Sequence, residues 1–189
     1  MALARFRSLI AVLVPLLAAL PAAATQVVHF DTRALVKGSS DIVIGEIAGT
    51  RSYWNDRHTK ILTEVSVKVA ETLKGSPAPL LALVELGGEV DGMRYNVPGC
   101  PVFKLGEQAL LFVWRDRNGR PQVNALAQGK FEIRRDPASG RSVVQRSLPG
   151  LGAADARSLR AVPDGQAAPG IPLDDMRREI QSVLAEDGR

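Results

Sequence analysis

Residues 61–70 read ILTEVSVKVA, and their side chains alternate between two kinds. Every second position is aliphatic or β-branched: Ile61, Thr63, Val65, Val67 and Val69. Because successive side chains of a strand point to opposite faces, this alternation predicts a strand with one buried face. Continued to Leu73, the strand would run for about 13 residues, or roughly 40 Å if straight. A domain of this mass is scarcely that wide, so we expect the strand to coil or to carry a bulge, as strands of small barrels do.

Shorter apolar runs predict the other strands of an antiparallel sheet. The runs are residues 41–48, 80–86, 93–97, 109–114, 122–126, 130–134 and 142–145. Turn signals such as Asp91-Gly92 and Asn118-Gly119 separate several of them, as is typical of hairpins. The expected fold class is therefore mainly β, a small OB-like antiparallel β-barrel of about five to seven strands, closed or nearly closed. The run 109–114 is apolar on both faces, which predicts a central strand with Trp114 in the core.

A short N-terminal helix is expected before the barrel and a C-terminal amphipathic helix after it. Residues 31–38 read DTRALVKG, in which Asp31 can cap the first turn and Gly38 can end the helix. Near the end of the chain, apolar residues recur at spacings of three and four and form one stripe: Leu173, Met176, Ile180, Val183 and Leu184. Such a stripe can dock on the parent domain or on a partner, and the sequence leaves both open.

The first 24 residues are typical of a secretory signal. Arg5 and Arg7 form a basic start, residues 9–20 an apolar run, and residues 22–24 a small-residue cleavage site before Thr25. The apolar run is shorter than the roughly 20 residues that a membrane-spanning helix needs. We therefore expect cleavage, no stable membrane span afterwards, and a periplasmic or extracellular location.

On this basis the sequence divides into four segments. They are a signal peptide at 1–24, the β-barrel domain at 25–147, a flexible linker rich in Ala, Gly and Pro at 148–170, and the C-terminal helix at 171–189. Cleavage would remove two arginines and no acidic residue, so the formal charge of +4 would fall to about +2. So small an excess excludes a strong polyanion binder on charge alone, and a nucleic-acid partner is not expected.

Cys100 is the only cysteine, so the domain has no internal disulfide although an exported protein could form one. It lies between Pro98 and Pro101, which mark a loop. A nucleophilic cysteine needs a nearby base, and the chain offers only His29 and His58. We expect a partly buried, unreactive thiol, with pairing to another chain or a catalytic role as the alternatives.

The sequence lacks the common cofactor-binding and catalytic motifs, which favours a protein without a cofactor. The chain contains no Gly-x-x-x-x-Gly-Lys-[Ser/Thr] loop, no dinucleotide-binding fingerprint, no Gly-x-Ser-x-Gly elbow and no His-Glu-x-x-His pair. Two histidines and one cysteine cannot complete a structural zinc site without carboxylates, so no metal is expected. Glu85 and Glu89 flank Gly87-Gly88 and could face one groove, which leaves a two-carboxylate hydrolase as an alternative.

The candidate binding residues lie in a predicted loop at residues 53–60, between the first two long strands. This loop carries two aromatic side chains and two potential cations: Tyr53, Trp54, Arg57 and His58. Loops on a rigid sheet commonly carry binding residues, and Trp, Tyr and Arg dominate interface energies. The alternative is that Trp54 folds over the barrel end as a lid for the core.

Several short stretches of the chain resemble a family of uncharacterised exported bacterial proteins. They are residues 40–47 (SDIVIGEI), 51–54 (RSYW), 63–65 (TEV), 73–75 (LKG), 87–88 (GG), 105–107 (LGE), 110–113 (LLFV) and 128–131 (QGKF). The likeness covers about residues 38–134 and supplies no known activity.

The order of a long coiled strand, a Leu-Lys-Gly turn and barrel hairpins is more remotely similar to the netrin-like domain of tissue inhibitors of metalloproteinases. That resemblance implies an OB-type five-stranded barrel and protein binding, with a secreted metalloprotease as a candidate partner. Those inhibitors place an N-terminal cysteine on the protease zinc in a disulfide-stapled framework. Here the predicted mature N-terminus is Thr25 and Cys100 has no second cysteine, so their mechanism does not carry over.

Together these patterns favour an exported, non-catalytic binding module that recognises a protein through its barrel-end loops. Two alternatives stay open. One is binding of a carbohydrate or a single-stranded nucleic acid on an OB-type surface. The other is the carboxylate-based hydrolase.

Overall fold

The structure is a computed structural model that describes residues 29–148 and 170–188. The predicted signal peptide and the predicted linker, apart from its two end residues, lie outside the described residues. The elements in chain order are α1 (Thr32–Gly38), β1 (Asp41–Trp54), β2 (Ile61–Lys74), β3 (Leu80–Leu86), β4 (Gly88–Val90), β5 (Met93–Tyr95), β6 (Gln108–Arg115), β7 (Pro121–Val123), a 3₁₀ turn (Leu126–Gly129), β8 (Lys130–Arg135), β9 (Ser142–Arg146), β10 (Ile171–Pro172) and α2 (Leu173–Asp187).

The strands β1 and β2 form a long antiparallel ribbon, with 14 residues in each strand. Their pairing shifts register between Ile42 and Val43, between Ile44 and Gly45, and between Ile47 and Gly49. Extra residues in one strand of a pair bend the ribbon and increase its right-handed twist. The prediction of a coiled or bulged long strand is confirmed.

The predicted mainly β, antiparallel fold is confirmed, but no closed barrel is found. One sheet runs in the order β10-β9-β8-β6-β1-β2-β3, with β7 paired to β6, so within the described residues the sheet keeps two ends. Curling brings β3 next to β7, yet no ladder joins the two strands. We call this unpaired junction the seam. It stays open because β7 has only three residues and begins with Pro121, which has no N–H to donate.

The sheet buries apolar side chains on both of its faces. The inner face of the curl holds one cluster: Val43, Ile47, Val65, Val67, Leu81, Leu83, Ala109, Leu111, Val113 and Val123. The outer face packs against both helices in a second cluster: Leu35, Val36, Ile42, Ile44, Leu110, Phe112, Phe131, Val144, Ile171, Leu173, Met176, Ile180 and Val183. The strands β1 and β6 contribute to both clusters, which explains why the sequence of each is apolar on both faces.

The two predicted helices are present and both dock on the sheet. The carboxylate of Asp31 accepts a hydrogen bond of 2.7 Å from the N–H of Ala34, which confirms the predicted cap. In α2, Met176 and Ile180 are fully buried in the outer cluster, and Arg177 forms an ion pair of 2.6 Å with Glu71 of β2. The helix therefore docks on its own domain. Among the described residues, no helix has the length and hydropathy that a membrane crossing requires.

Three predicted boundaries were wrong. The expected strand at 93–97 ends at Tyr95 and pairs with β4 in a separate two-stranded sheet. The expected loop at 53–60 begins two residues later, because β1 continues through Tyr53 and Trp54. The expected strand at 122–126 ends at Val123, and a 3₁₀ turn follows. Ala125 and Leu126 have φ values of 54° and 58°, which a continuing strand does not allow.

Candidate functional site

The four predicted binding residues, Tyr53, Trp54, Arg57 and His58, do not form one cluster in the structure. Tyr53 and Trp54 are neighbours in β1, so their side chains lie on opposite faces of the ribbon. The Arg51 guanidinium lies 5.4 Å from the centre of the Tyr53 ring. Trp54 stacks on His58, with ring centres 6.0 Å apart and ring planes at 20°.

The loop after β1 is fixed by hydrogen bonds to one side chain. The Asn55 Oδ1 atom accepts from the N–H of Thr59 at 2.8 Å and from the N–H of Lys60 at 3.0 Å. This closed turn places His58 at a φ of 51° and leaves Arg57 exposed. Trp54 is half-buried and belongs to neither main core cluster of the described residues, so its role as a core lid gains no support.

The geometry of the seam depends on one buried carboxyl group. Glu85 points to the inner side of β3, is 6% exposed, and accepts a hydrogen bond of 2.6 Å from the N–H of Val123. The neighbouring N–H of Asn124 donates instead to Phe112 of β6. Because alternate residues of a strand face opposite edges, the Val123 N–H and the carbonyls of Pro121 and Val123 face the seam. Glu85 thus satisfies the single seam-facing donor of β7.

Burial controls the protonation of the two reactive groups at the seam. It raises the pKa of Glu85 to about 7, and the hydrogen bond from Val123 opposes this rise. Burial also raises the pKa of Cys100 to about 11, and the charge of Glu85 adds to the effect. Cys100 is therefore a protonated thiol at neutral pH and a poor nucleophile.

Three clefts surround the end of β3 and share Leu86. The inner cleft, of about 530 Å³, has a polar floor that includes Ser52, Thr63 and Glu85. The Thr63 hydroxyl donates to the carbonyl of Gly87 at 2.6 Å and lies 2.9 Å from the Ser52 hydroxyl. These hydroxyl groups are held by one another and by the backbone, so the floor is preorganised.

The apolar cleft, of about 370 Å³, lies at the same seam and also reaches Glu85 and Cys100. Its exposed apolar lining comes from Trp114 and Leu126, with Phe30 beside them. The prediction that Trp114 is a core residue was wrong, since its exposure is 38%. Leu110 and Phe112 on β6 are covered by the helices, but the outer cluster ends before Trp114.

The basic cleft, of about 610 Å³, lies between the β1–β2 loop and the β6–β7 turn. Arg57, Lys60 and Arg120 line it together with Leu62 and Val84 of the neighbouring strands, and no carboxylate does. Arg120 is bound to Asp116 at 2.7 Å. Within the described parts of the chain, Arg57 and Lys60 form no ion pair, so their charges are available to a ligand.

Among the four predicted residues, Arg57 alone lines one of these three clefts. The two carboxylates that could have faced one groove are also separate, because Glu89 lies in β4 and pairs with Arg94 at 2.8 Å. Sequence reasoning missed Trp114 and the role of Glu85. A weak signal existed for Glu85, which continues the inward alternation of Leu81 and Leu83 in an otherwise apolar strand.

Comparisons of the chain with protein-family models, with curated proteins and with solved structures found no match in any of the three. The resemblances to exported bacterial proteins and to netrin-like domains therefore stay predictions.

Proposed function

We propose that this protein is an exported, non-catalytic binding module that recognises a protein partner at the seam between β3 and β7. One observation carries the proposal. The exposed apolar side chains of Trp114 and Leu126 lie on one side of Leu86, and the cations Arg57 and Lys60 lie on the other. Aromatic and arginine side chains around an apolar centre are typical of residues that dominate protein interfaces.

The chemistry of the seam favours binding over catalysis. Cys100 is protonated at neutral pH because its pKa is raised, and Glu85 already accepts a hydrogen bond from the backbone. Among the described residues, no three or more histidine, cysteine, aspartate and glutamate side chains lie close enough together to hold a metal ion. Trp54 and His58 extend the proposed surface along the β1–β2 loop beside Arg57, with Tyr53 on the other face of the ribbon.

Two finer parts of the proposal depend on the sequence. Export follows from the predicted signal at residues 1–24. The OB-type and netrin-like interpretation is supported by the curl of five strands, β1, β2, β3, β6 and β7, around one inner cluster. On that interpretation a secreted metalloprotease is a candidate partner class.

Affinity capture from the exported fraction of the cells that make the protein tests this proposal. The wild type, Trp114→Ala and Leu105→Ala should be compared, because Leu105 is also a solvent-exposed apolar residue but lines none of the three clefts. A captured protein should then be purified and its affinity measured. We expect Trp114→Ala to weaken binding about tenfold or more, and Leu105→Ala to change it less than about twofold. Equal affinities for all three proteins would refute the proposal.

A further inference from the structure

We infer that the partner of this protein binds as an extra strand on the free edge of β3, with an acidic side chain in the basic cleft. The inference rests on the proposed function and names the form and the charge of the segment that is recognised. It follows from three observations. They are the direction of the backbone N–H and C=O groups of β3, the hydrogen bond by which Glu85 occupies the Val123 N–H on the edge of β7, and the charges around Leu86.

The backbone of β3 has one occupied edge and one open edge. The N–H of Gly87 donates to the carbonyl of Ile61, and the carbonyl of Pro79 accepts from the N–H of Val69. Odd-numbered residues of β3 therefore bond to β2, and the N–H and C=O groups of Leu80, Ala82, Val84 and Leu86 point the other way. Within the described residues β3 pairs with β2 alone, so this second edge can accept a further strand.

The strand β7 does not fill that edge. Its seam side offers Pro121, which has no N–H, and Val123, whose N–H is held by Glu85. The hydrogen bond that joins β7 to β3 is made at Glu85, near the end of β3, whereas the edge continues back to Leu80. From Leu80 to Val84 that edge measures about 13 Å, enough to pair with roughly five residues of an extended segment.

Side chains along this edge indicate the composition of the segment. Leu80 and Ala82 are exposed and Val84 is half-buried, so apolar side chains of an added strand would find partners there. Lys68 pairs with Leu80 in the ladder and is exposed at one end of the edge. The basic cleft with Arg57 and Lys60 lies at the other end, next to Val84 and Leu86.

Charge complementarity therefore selects an acidic segment. The only carboxylate opposite this edge in the ladder is Glu64, which pairs with Val84 and lies 3.9 Å from the Arg51 guanidinium. Lys68 lies opposite Glu46 in the β1–β2 ladder, but within the described residues neither Lys68 nor Arg57 nor Lys60 forms an ion pair. A segment with apolar residues between Asp or Glu side chains therefore fits both ends.

The test is selection of binders from a displayed library of random ten-residue peptides against the whole protein. We expect the selected peptides to be rich in Asp or Glu and in β-branched residues and to lack Pro within the binding segment. A selection that yields no binder, or binders without acidic enrichment, overturns the inference.

The selected peptides then allow two measurements at about 20 mM salt, where surface charges are weakly screened. Hydrogen exchange followed by NMR should show slower exchange at the amides of Ala82 and Val84 when peptide is added, with the amide of Leu83 already protected by β2. A peptide N-methylated on successive amides should bind at least about tenfold more weakly. Equal binding of the methylated peptide, or unprotected Ala82 and Val84 amides, overturns strand addition.

Charge-reversed proteins test the role of the basic cleft. The double variant Arg57→Glu, Lys60→Glu should weaken peptide binding about tenfold or more. Its matched control is Arg135→Glu, Arg141→Glu, which changes the net charge equally at the β8–β9 hairpin and should have less than about a twofold effect. Equal effects of the two double variants contradict the inference.

The outcomes for this inference and for the proposed function are distinguishable. If Trp114→Ala weakens binding of the captured protein while the peptide results above are negative, the seam is a binding surface without strand addition. If Trp114→Ala has no effect on a captured protein, the proposed function itself fails.

Discussion

The Oε1 atom of Glu85 lies 2.6 Å from the backbone nitrogen of Val123, across 38 residues of sequence. A side-chain carboxyl group thus occupies the position that a carbonyl of a neighbouring strand would take on the edge of β7. The bond satisfies a buried donor without closing the sheet. Both the stability of the seam and its response to pH are expected to depend on this one contact.

Removal of the carboxyl group should destabilise the protein. In Glu85→Ala the buried Val123 N–H loses its acceptor, which costs about 1–3 kcal/mol of unfolding free energy. Glu85→Gln keeps a side chain of the same length with an acceptor oxygen, so it should lower the unfolding free energy less than Glu85→Ala. Urea denaturation of both variants at pH 7 measures the difference, and equal stabilities of Glu85→Ala and the wild type would show that the bond contributes nothing.

The stability of the wild type should contain a component that falls as pH rises from about 4.5 to about 7. Burial raises the pKa of Glu85 from 4.5 to about 7, so in this window the folded state binds more protons than the unfolded state. Stability is then highest below the unfolded pKa and declines until the folded pKa is passed. The total change is up to about 3 kcal/mol.

Glu85→Gln is the control for this pH dependence, because it removes the titrating group and leaves all the others. Unfolding free energies of both proteins should be measured at several pH values between 4 and 8. The wild-type value minus the variant value should decrease with rising pH, and a difference that is constant across this range would contradict a raised pKa.

Cys100 should react slowly with alkylating reagents in the folded protein. Burial raises its pKa to about 11, so the thiolate is a minor species at pH 8. Iodoacetamide should modify native protein at least about tenfold more slowly than protein in denaturant. Because the Glu85 charge adds to the rise in pKa, Glu85→Gln should increase the native rate, and a native rate equal to the denatured rate would place Cys100 at the surface.

Gly88→Ala should be more destabilising than Gly92→Ala. Gly88 has a φ of 129°, and an added Cβ would overlap the hydroxyl groups of Ser52 and Thr63. Gly92 has a φ of 74° and no neighbour within 4 Å of an added Cβ. We expect a loss of about 2 kcal/mol or more at Gly88 and about 1 kcal/mol at Gly92, measured by denaturation. The reverse order would mean that the floor of the inner cleft adjusts freely.

Trp54→Ala should lower partner affinity about tenfold or more while changing the unfolding free energy by less than about 1 kcal/mol. Trp54 is half-buried and stacks on His58 outside both main clusters, so its removal opens no core cavity. Calorimetric unfolding and affinity measurements on the same protein separate the two effects. A large loss of stability would instead support the lid role.

Local patterns were sufficient to predict most strands and the first helix. The alternation in residues 61–70 is a property of β2 alone, and the cap of Asp31 depends on Ala34 three residues later. The turn at Asn118-Gly119 likewise needs only its own backbone preferences. These elements could be predicted because the interactions that define them lie within one segment.

The seam could not be predicted because its parts are distant in sequence. An apolar run indicates a buried strand but does not show where a helix stops covering it, so the sequence wrongly predicts that Trp114 lies in the core. Alternation places Glu85 on the inner side of β3, but its partner Val123 belongs to a strand that the sequence predicted with the wrong length. The sequence pattern predicts a loop at Tyr53 and Trp54, because it gives no sign that β1 continues as far as β2 does.

The bulges of the β1–β2 ribbon have an effect far from where they occur. The extra residues Ala48, Ala70 and Leu73 bend the ribbon, and β3 follows this bend because it pairs with β2. The gap between β3 and β7 therefore depends on residues that lie in neither β3 nor β7. Deleting Ala70 would remove one of the three bulges. We expect the smaller bend to shift β3 relative to β7 and to weaken the hydrogen bond between Glu85 and Val123, so that a change of one alanine would alter the docking surface from a distance.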